Sequence, residues 1–126
     1  MTALIEMRDI VKTFNIGTPA EITILHGCDV TVEEGEFVSV IGASGSGKST
    51  LMNIIGLLDR PTSGTYSLAG TDVLGISDDQ LARFRSQKIG FVFQNFNLIG
   101  RIDALRNVEM PMMYAGVPAR ERQERA

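Results

Sequence analysis

The 126 residues are enough for one modest domain with a core, and 15 acidic against 12 basic side chains, net charge −3, leave no dense basic block for a nucleic-acid partner. The single cysteine, Cys28, excludes an internal disulfide and is expected to be a small buried hydrophobe. No cationic leader with an apolar core opens the chain and no uncharged run approaches the roughly 20 residues of a spanning helix, so a cytosolic protein is expected, able to dock on a membrane partner.

In chain order, near-alternation of apolar and charged residues over 4–11 predicts an edge or half-exposed strand that ends near Phe14 and runs into a turn. A second strand is expected over 22–25, broken by His26-Gly27 and resumed over 28–32. A charged turn, 33–36, leads into an apolar strand at 37–41 and then into Gly42-Ala43-Ser44-Gly45-Ser46-Gly47-Lys48-Ser49. A helix is expected from Lys48 to about Leu57, with Leu51, Ile54, Ile55 and Leu58 as its apolar stripe and the Asp59 to Gly64 stretch as its terminator. A strand over 65–69 follows, closed by Gly70-Thr71-Asp72. Ser77 and Gln80 read as a capping box for a helix reaching about Arg85. Residues 89–93 read as an interior strand with Gln94 at its polar exit. Asp103 caps a helix whose apolar face takes in Ala104, Leu105, Val108, Met112 and Met113, and Pro111 is expected to split or bend it. Another helix begins at Ala119 and is unfinished at Ala126, which suggests a longer parent.

The stretch around Lys48 carries the chemistry. Glycines at 42, 45 and 47 let the backbone bring successive N–H groups against an anion without an intervening Cβ, and the following helix adds its free N-terminal donors. Lys48 is placed to reach β- and γ-phosphates and the Ser49 hydroxyl to ligate Mg²⁺. A solvated glycine-serine turn is the competing explanation for a lone glycine triplet, but the full G-x-x-x-x-G-K-S pattern between a strand and a helix points to a nucleotide phosphate cradle. No apolar strand ending in Asp or Glu follows it, and Asp59 reads as structural, so the parts expected to catalyse turnover are absent from this stretch. Gln94 could ligate Mg²⁺ or orient water, or simply serve a loop. His26 lacks partners for a metal or a nucleophile pair, and Phe14 is either core or a ring on which a base stacks.

Together, Gly42 to Ser49, Asp59-Arg60-Pro61-Thr62-Ser63-Gly64 and Ile89-Gly90-Phe91-Val92-Phe93-Gln94-Asn95-Phe96-Asn97-Leu98 resemble the nucleotide-binding domain of ABC transporters. The stretches 51–60 and 107–117 narrow the resemblance to the branch of macrolide and antimicrobial-peptide exporters and the lipoprotein-releasing ATPase. The resemblance implies an α/β fold: a P-loop NTPase core with an antiparallel β subdomain over 1–94, and the start of a helical subdomain over 95–126. It implies that ATP is held by Phe14, Gly42, Ser44, Gly45, Ser46, Gly47, Lys48, Ser49 and Thr50, with Phe14 stacking on adenine. Lys48 and Gln94 take the catalytic roles, Ser49 and Gln94 the Mg²⁺.

Two departures stand out: Ala43 where the family usually has proline, and a proline missing from 98–105. By resemblance the signature, the catalytic glutamate and the switch histidine would lie beyond Ala126. The implied partners are a transmembrane permease and a second ATP-binding subunit in a head-to-tail dimer, at the inner face of the cell membrane. The implied parent is an ATPase coupled to export; the 126 residues alone are expected to lack turnover and to be poorly soluble or partly molten. The alternatives are a non-catalytic truncated nucleotide-binding protein, or an ABC ATPase of lipoprotein release or cell division. A small-molecule kinase or GTPase would need acceptor and base-recognition motifs that are not evident.

Overall fold

Apolar and polar residues alternate along the first third of the chain, so a strand there can bury one face and leave the other to water. In the computed structural model, which describes residues 2–126, two long strands result, β1 (Ala3–Phe14) and β2 (Ile22–Glu33). They are followed by α1 (Lys48–Ile55), β3 (Ser63–Leu68), β4 (Thr71–Asp72), α2 (Asp78–Lys88), α3 (Ala104–Tyr114) and α4 (Ala119–Arg125). The strands form one antiparallel sheet in the order β2-β1-β3-β4. The chain divides into two compact units, Met1–Asp78 and Asp79–Ala126.

The first strand, expected at an edge or half exposed, is half exposed and lies not at an edge but between β2 and β3. Its charged alternates, Glu6 and Arg8, pair at 3.1 Å on the exposed face, and Met7 and Ile10 are fully buried. Those two buried residues are three apart, which a regular strand cannot put on one face. A bulge at Asp9 supplies the extra residue. The register passes from Met7↔Val30 to Ile10↔Cys28 on one side and from Arg8↔Thr65 to Val11↔Ser63 on the other. Asp9 takes φ 50 and its N–H donates to Asp29 Oδ1 at 2.7 Å. Gly64, φ 109, packs beneath it, where a Cβ would stand 2.5 Å from the Asp9 carbonyl oxygen. The expected break at His26-Gly27 is likewise a bulge: β2 continues through it, with Gly27 the unpaired residue between Ile10↔Cys28 and Val11↔His26.

Helix α1 ends earlier than its sequence terminator implies. Leu57 adopts φ 59, the Leu57 N–H donates to the Ile54 carbonyl at 3.1 Å, and the Leu58 N–H donates to the Asn53 carbonyl at 2.9 Å. This paired arrangement closes the helix before Pro61 is reached. It also turns Leu57 into the core and leaves Leu58 half exposed, the reverse of the expected stripe; Ile54 is buried as expected. Tyr66 of β3 reaches across to the helix end, donating its hydroxyl to the Ile55 carbonyl at 2.7 Å. The core of this unit is Met7, Ile10, Leu25, Ile54, Leu57, Tyr66, Leu68 and Val73.

The two apolar runs expected as strands, 37–41 leading into the glycine loop and 89–93 in the interior, belong to no sheet among the described residues. A strand exists only where a neighbour supplies ladder partners, and among the described residues none runs beside either segment. Phe37 and Ile41 are more than nine-tenths exposed, and the Phe91 and Phe93 rings stack on one another, centroids 5.7 Å apart.

Helix α2 starts directly after Ser77, at the last residue of the first unit, as the capping pattern predicts, and runs on to Lys88 in the second. Asp103 caps α3, accepting from the Arg106 N–H at 2.8 Å. Pro111 sits inside α3 without dividing it. The loop before α3 is organised by Asn107, which accepts from the Ile99 N–H at 2.9 Å and donates to the carbonyls of Ile99 and Asp103 at 3.2 and 2.9 Å. No helix among the described residues is long and apolar enough to cross a membrane.

Burial pushes the Tyr66 phenol up to about 12. The neutral phenol is therefore favoured in the folded state, and its contribution to stability is complete below the unfolded value of about 10 and lost as pH rises through about 12. Denaturant titrations across that window should show stability falling with pH. Tyr66→Phe should remove this slope and cost about 1 kcal/mol at neutral pH through the orphaned Ile55 carbonyl; an unchanged slope would contradict the burial.

Candidate functional site

The glycine loop and α1 are one structure. Gly45 and Gly47 take φ 81 and 100, conformations costly for residues with a Cβ, and the Ser46 N–H donates to the Ala43 carbonyl at 3.1 Å inside the turn. Gly47 is the residue before α1, with no side-chain cap on the helix, and its carbonyl accepts from the Leu51 N–H at 2.9 Å. A Cβ on Gly47 would lie 3.0 Å from Leu25 Cδ2 and 3.2 Å from Ile24 Cγ2, so the loop is pressed directly onto β2. A Cβ on Gly45 would meet nothing within 4 Å, so that glycine faces open space.

This open side is a cavity of about 390 Å³ lined by Ile24, Ser44, Gly45, Gly47, Lys48, Ser49 and Thr50. Free N–H groups at a helix start and one ammonium make it suited to a polyanion. Lys48 curls back over the loop, its Nζ donating to the carbonyl oxygens of Gly42 and, at 2.8 Å, Ala43. Gly42 lies beneath that arm, where a Cβ would be 2.7 Å from Ser46 Oγ. No carboxylate lines the cavity.

The predicted residues are only partly brought together. Ser44, Gly45, Gly47, Lys48, Ser49 and Thr50 line the cavity, with Gly42 and Ser46 in the loop that frames it. Phe14 is in the same unit, half-buried at the end of β1 opposite Ile22, and is not part of the lining. Gln94 lies in the second unit, exposed in the irregular stretch after 89–93. Asp59 is structural in the geometry as well, its Oδ2 3.1 Å from Lys12 Nζ. His26 is exposed in β2, and no group of three or more His, Cys, Asp or Glu among the described residues could hold a metal ion.

Sequence reasoning missed Ile24, which contributes the apolar wall of the cavity, and Tyr66, which pins the far end of the helix that carries Lys48. Alternation in β2 places Ile24 on one face but gives no sign that the glycine loop lands there. A lone tyrosine in a short strand carries no signal of its helix partner.

The sequence pattern of the family described as "ABC transporter" matches residues 25–126. The macrolide export ATP-binding/permease protein MacB of Azoarcus sp. (strain BH72) is 54% identical over 125 residues, covering 99% of this chain and 19% of that protein. The uncharacterized ABC transporter ATP-binding protein YknY of Bacillus subtilis (strain 168) is 51% identical over 123 residues, covering 98% and 53%. Among solved structures, a dimeric post-hydrolysis state of the ATP-binding cassette MJ0796 bound to ADP and Pi superposes with a TM-score of 0.86 at 42% identity, covering 96% of this chain and 53% of that one. The chain thus spans between about a fifth and about half the length of these relatives.

Two glycine substitutions separate scaffold from ligand contact. Gly47→Ala should cost on the order of 2–3 kcal/mol, strain added to a clash with β2, whereas Gly45→Ala should cost about 1 kcal/mol. Urea unfolding measures both. Gly45→Ala should nevertheless weaken tripolyphosphate binding by about tenfold, because its methyl fills the cradle; unaltered binding would count against the cradle.

Proposed function

The chain belongs to the ABC transporter family, and from that premise we propose that it is the N-terminal part of an ATP-binding component that couples ATP binding and hydrolysis to substrate export through a membrane partner. The observation that carries this reading is the cavity in which the loop, the start of α1 and Lys48 converge. In it, Gly42, Ser44, Gly45 and Gly47 present backbone donors to the phosphates, Ser46 frames the loop with its N–H on the Ala43 carbonyl, and Lys48 exchanges the Gly42 and Ala43 carbonyls for β- and γ-phosphate oxygens. Thr50 lines the same space and Phe14 stacks on adenine. The arrangement of 1–94 as nucleotide-binding core with β subdomain and 95–126 as the start of a helical subdomain belongs to the same proposal.

A hydroxyl on the second residue of α1 is a hard oxygen ligand suited to Mg²⁺, and with no cluster of acidic or imidazole ligands among the described residues the ion would be shared with phosphate oxygens. Ser49 is the residue at the cavity that would hold it, and when bound it would offset phosphate charge; Gln94 is proposed as its second ligand from the family resemblance alone. Gln94 also contacts the membrane subunit in this reading. The names of MacB, an export ATP-binding/permease protein, and of the dimeric ADP-bound cassette support a permease, a second ATP-binding subunit and a position at the inner face of the membrane.

In this reading residues 1–126 alone bind nucleotide without turning it over, which is supported by a cavity lining, among the described residues, that holds no carboxylate to deprotonate an attacking water. In the full-length protein, Lys48→Ala should abolish both Mg-ATP binding and steady ATPase activity. Gln94→Ala should lower turnover by about tenfold or more and leave ATP affinity within about threefold. Wild-type affinity in Lys48→Ala, measured by calorimetry, would overturn the reading, and magnesium-dependent turnover by the 126-residue chain would overturn its second half.

A further inference from the structure

Lys12 is unaccounted for by the phosphate cradle, yet it is among the most heavily engaged charges in the first unit. Its side chain is only 14% exposed, its Nζ is 3.1 Å from Asp59 Oδ2, and it donates to the Arg60 carbonyl at 2.8 Å. The same ammonium lies 5.1 Å from the centroid of the Phe14 ring. Lys12 and Phe14 are two apart on one strand and so share a face. A desolvated ammonium over a ring face is attracted by the ring quadrupole and restricts the ring's rotation.

The surroundings make this a fixed rather than an incidental contact. The strand end and the segment after α1 are stitched together: the Thr62 N–H donates to the Val11 carbonyl at 2.7 Å and the Thr13 N–H donates to Thr62 Oγ1 at 2.8 Å. Lys12 adds the Asp59 and Arg60 contacts to that seam. Asp59 and Arg60 lie just past the turn that closes α1, and the Asp59 N–H donates back to the Asn53 carbonyl of that helix at 3.2 Å; the other end of α1 opens on the phosphate loop. Phe14 is therefore tied, through one ammonium, to the helix that carries Lys48.

We propose that Lys12 is a positioning residue for nucleotide recognition: it clamps the Phe14 ring and couples the base-stacking position to the phosphate-loop helix through Asp59. The proposal rests on the assignment of Phe14 to base stacking made above. The cation on one face also withdraws π density, so an electron-rich purine stacks better on the other. Lys12 touches neither base nor phosphate in this role. Its effect is on the selectivity for a nucleotide over a bare phosphate chain.

The test uses the full-length protein, with Mg-ATP and magnesium tripolyphosphate as the two probes in calorimetry. Lys12→Met keeps the aliphatic stem and removes the charge. It should weaken ATP about threefold to tenfold and leave tripolyphosphate unchanged. Phe14→Ala should do the same, the double variant should lose no more than the larger single loss, and Lys12→Arg should restore the ATP preference. Equal weakening of both probes by Lys12→Met, or no change in ATP affinity, overturns the proposal, since a merely structural role would not move the ratio. The underlying reading fails separately, in the wild-type protein, if ATP binds no tighter than tripolyphosphate.

Discussion

The functional reading depends on how α1 is held at its two ends. At the N-terminal end Gly47, in a conformation a Cβ would strain, brings the loop against Ile24 and Leu25 of β2. At the C-terminal end the Tyr66 hydroxyl takes the Ile55 carbonyl, and the Leu57 turn drives a side chain into the core. A short helix of 8 residues gains little from its own propensity, so its position comes from these tertiary contacts. With both ends fixed, the free N–H groups at its start point at one place, and Lys48 is the cation that place requires.

That constraint also explains which parts were legible in the sequence. The glycine loop is a local device: each glycine, the lysine and the hydroxyl act within eight residues, and the pattern carries its own geometry. The family resemblance drawn from 42–49, 59–64 and 89–98 is borne out by the match over 25–126 and by the related cassettes. Asp103 as cap and the helix after Ser77 were readable for the same reason, since capping is decided within a turn.

What could not be read is non-local. Whether a strand lies at an edge is decided by which other segments pair with it, and β1 became interior only because β3 returns to its far side. The bulge at Asp9 depends on Asp29 and on the room left by Gly64, neither near it in sequence. The apolar runs 37–41 and 89–93 have the composition of buried strands, yet composition alone does not supply a ladder partner. Asn107 orders the loop before α3 through three backbone carbonyls and one N–H, a role that an asparagine in a helical pattern does not advertise. At the site itself, the cradle was visible while its apolar wall, Ile24, and the ammonium over Phe14 emerged only with the sheet register.

The central claim is that the backbone N–H groups of Gly45, Gly47, Lys48 and Ser49 meet a polyphosphate. The most direct measurement is the amide spectrum of those residues in isotopically labelled full-length protein, titrated in parallel with ATP and with adenosine. The amides of Gly45, Gly47, Lys48 and Ser49 should shift together on adding ATP and stay in place on adding adenosine. Amides that remain still under saturating ATP, or respond equally to adenosine, would contradict the account.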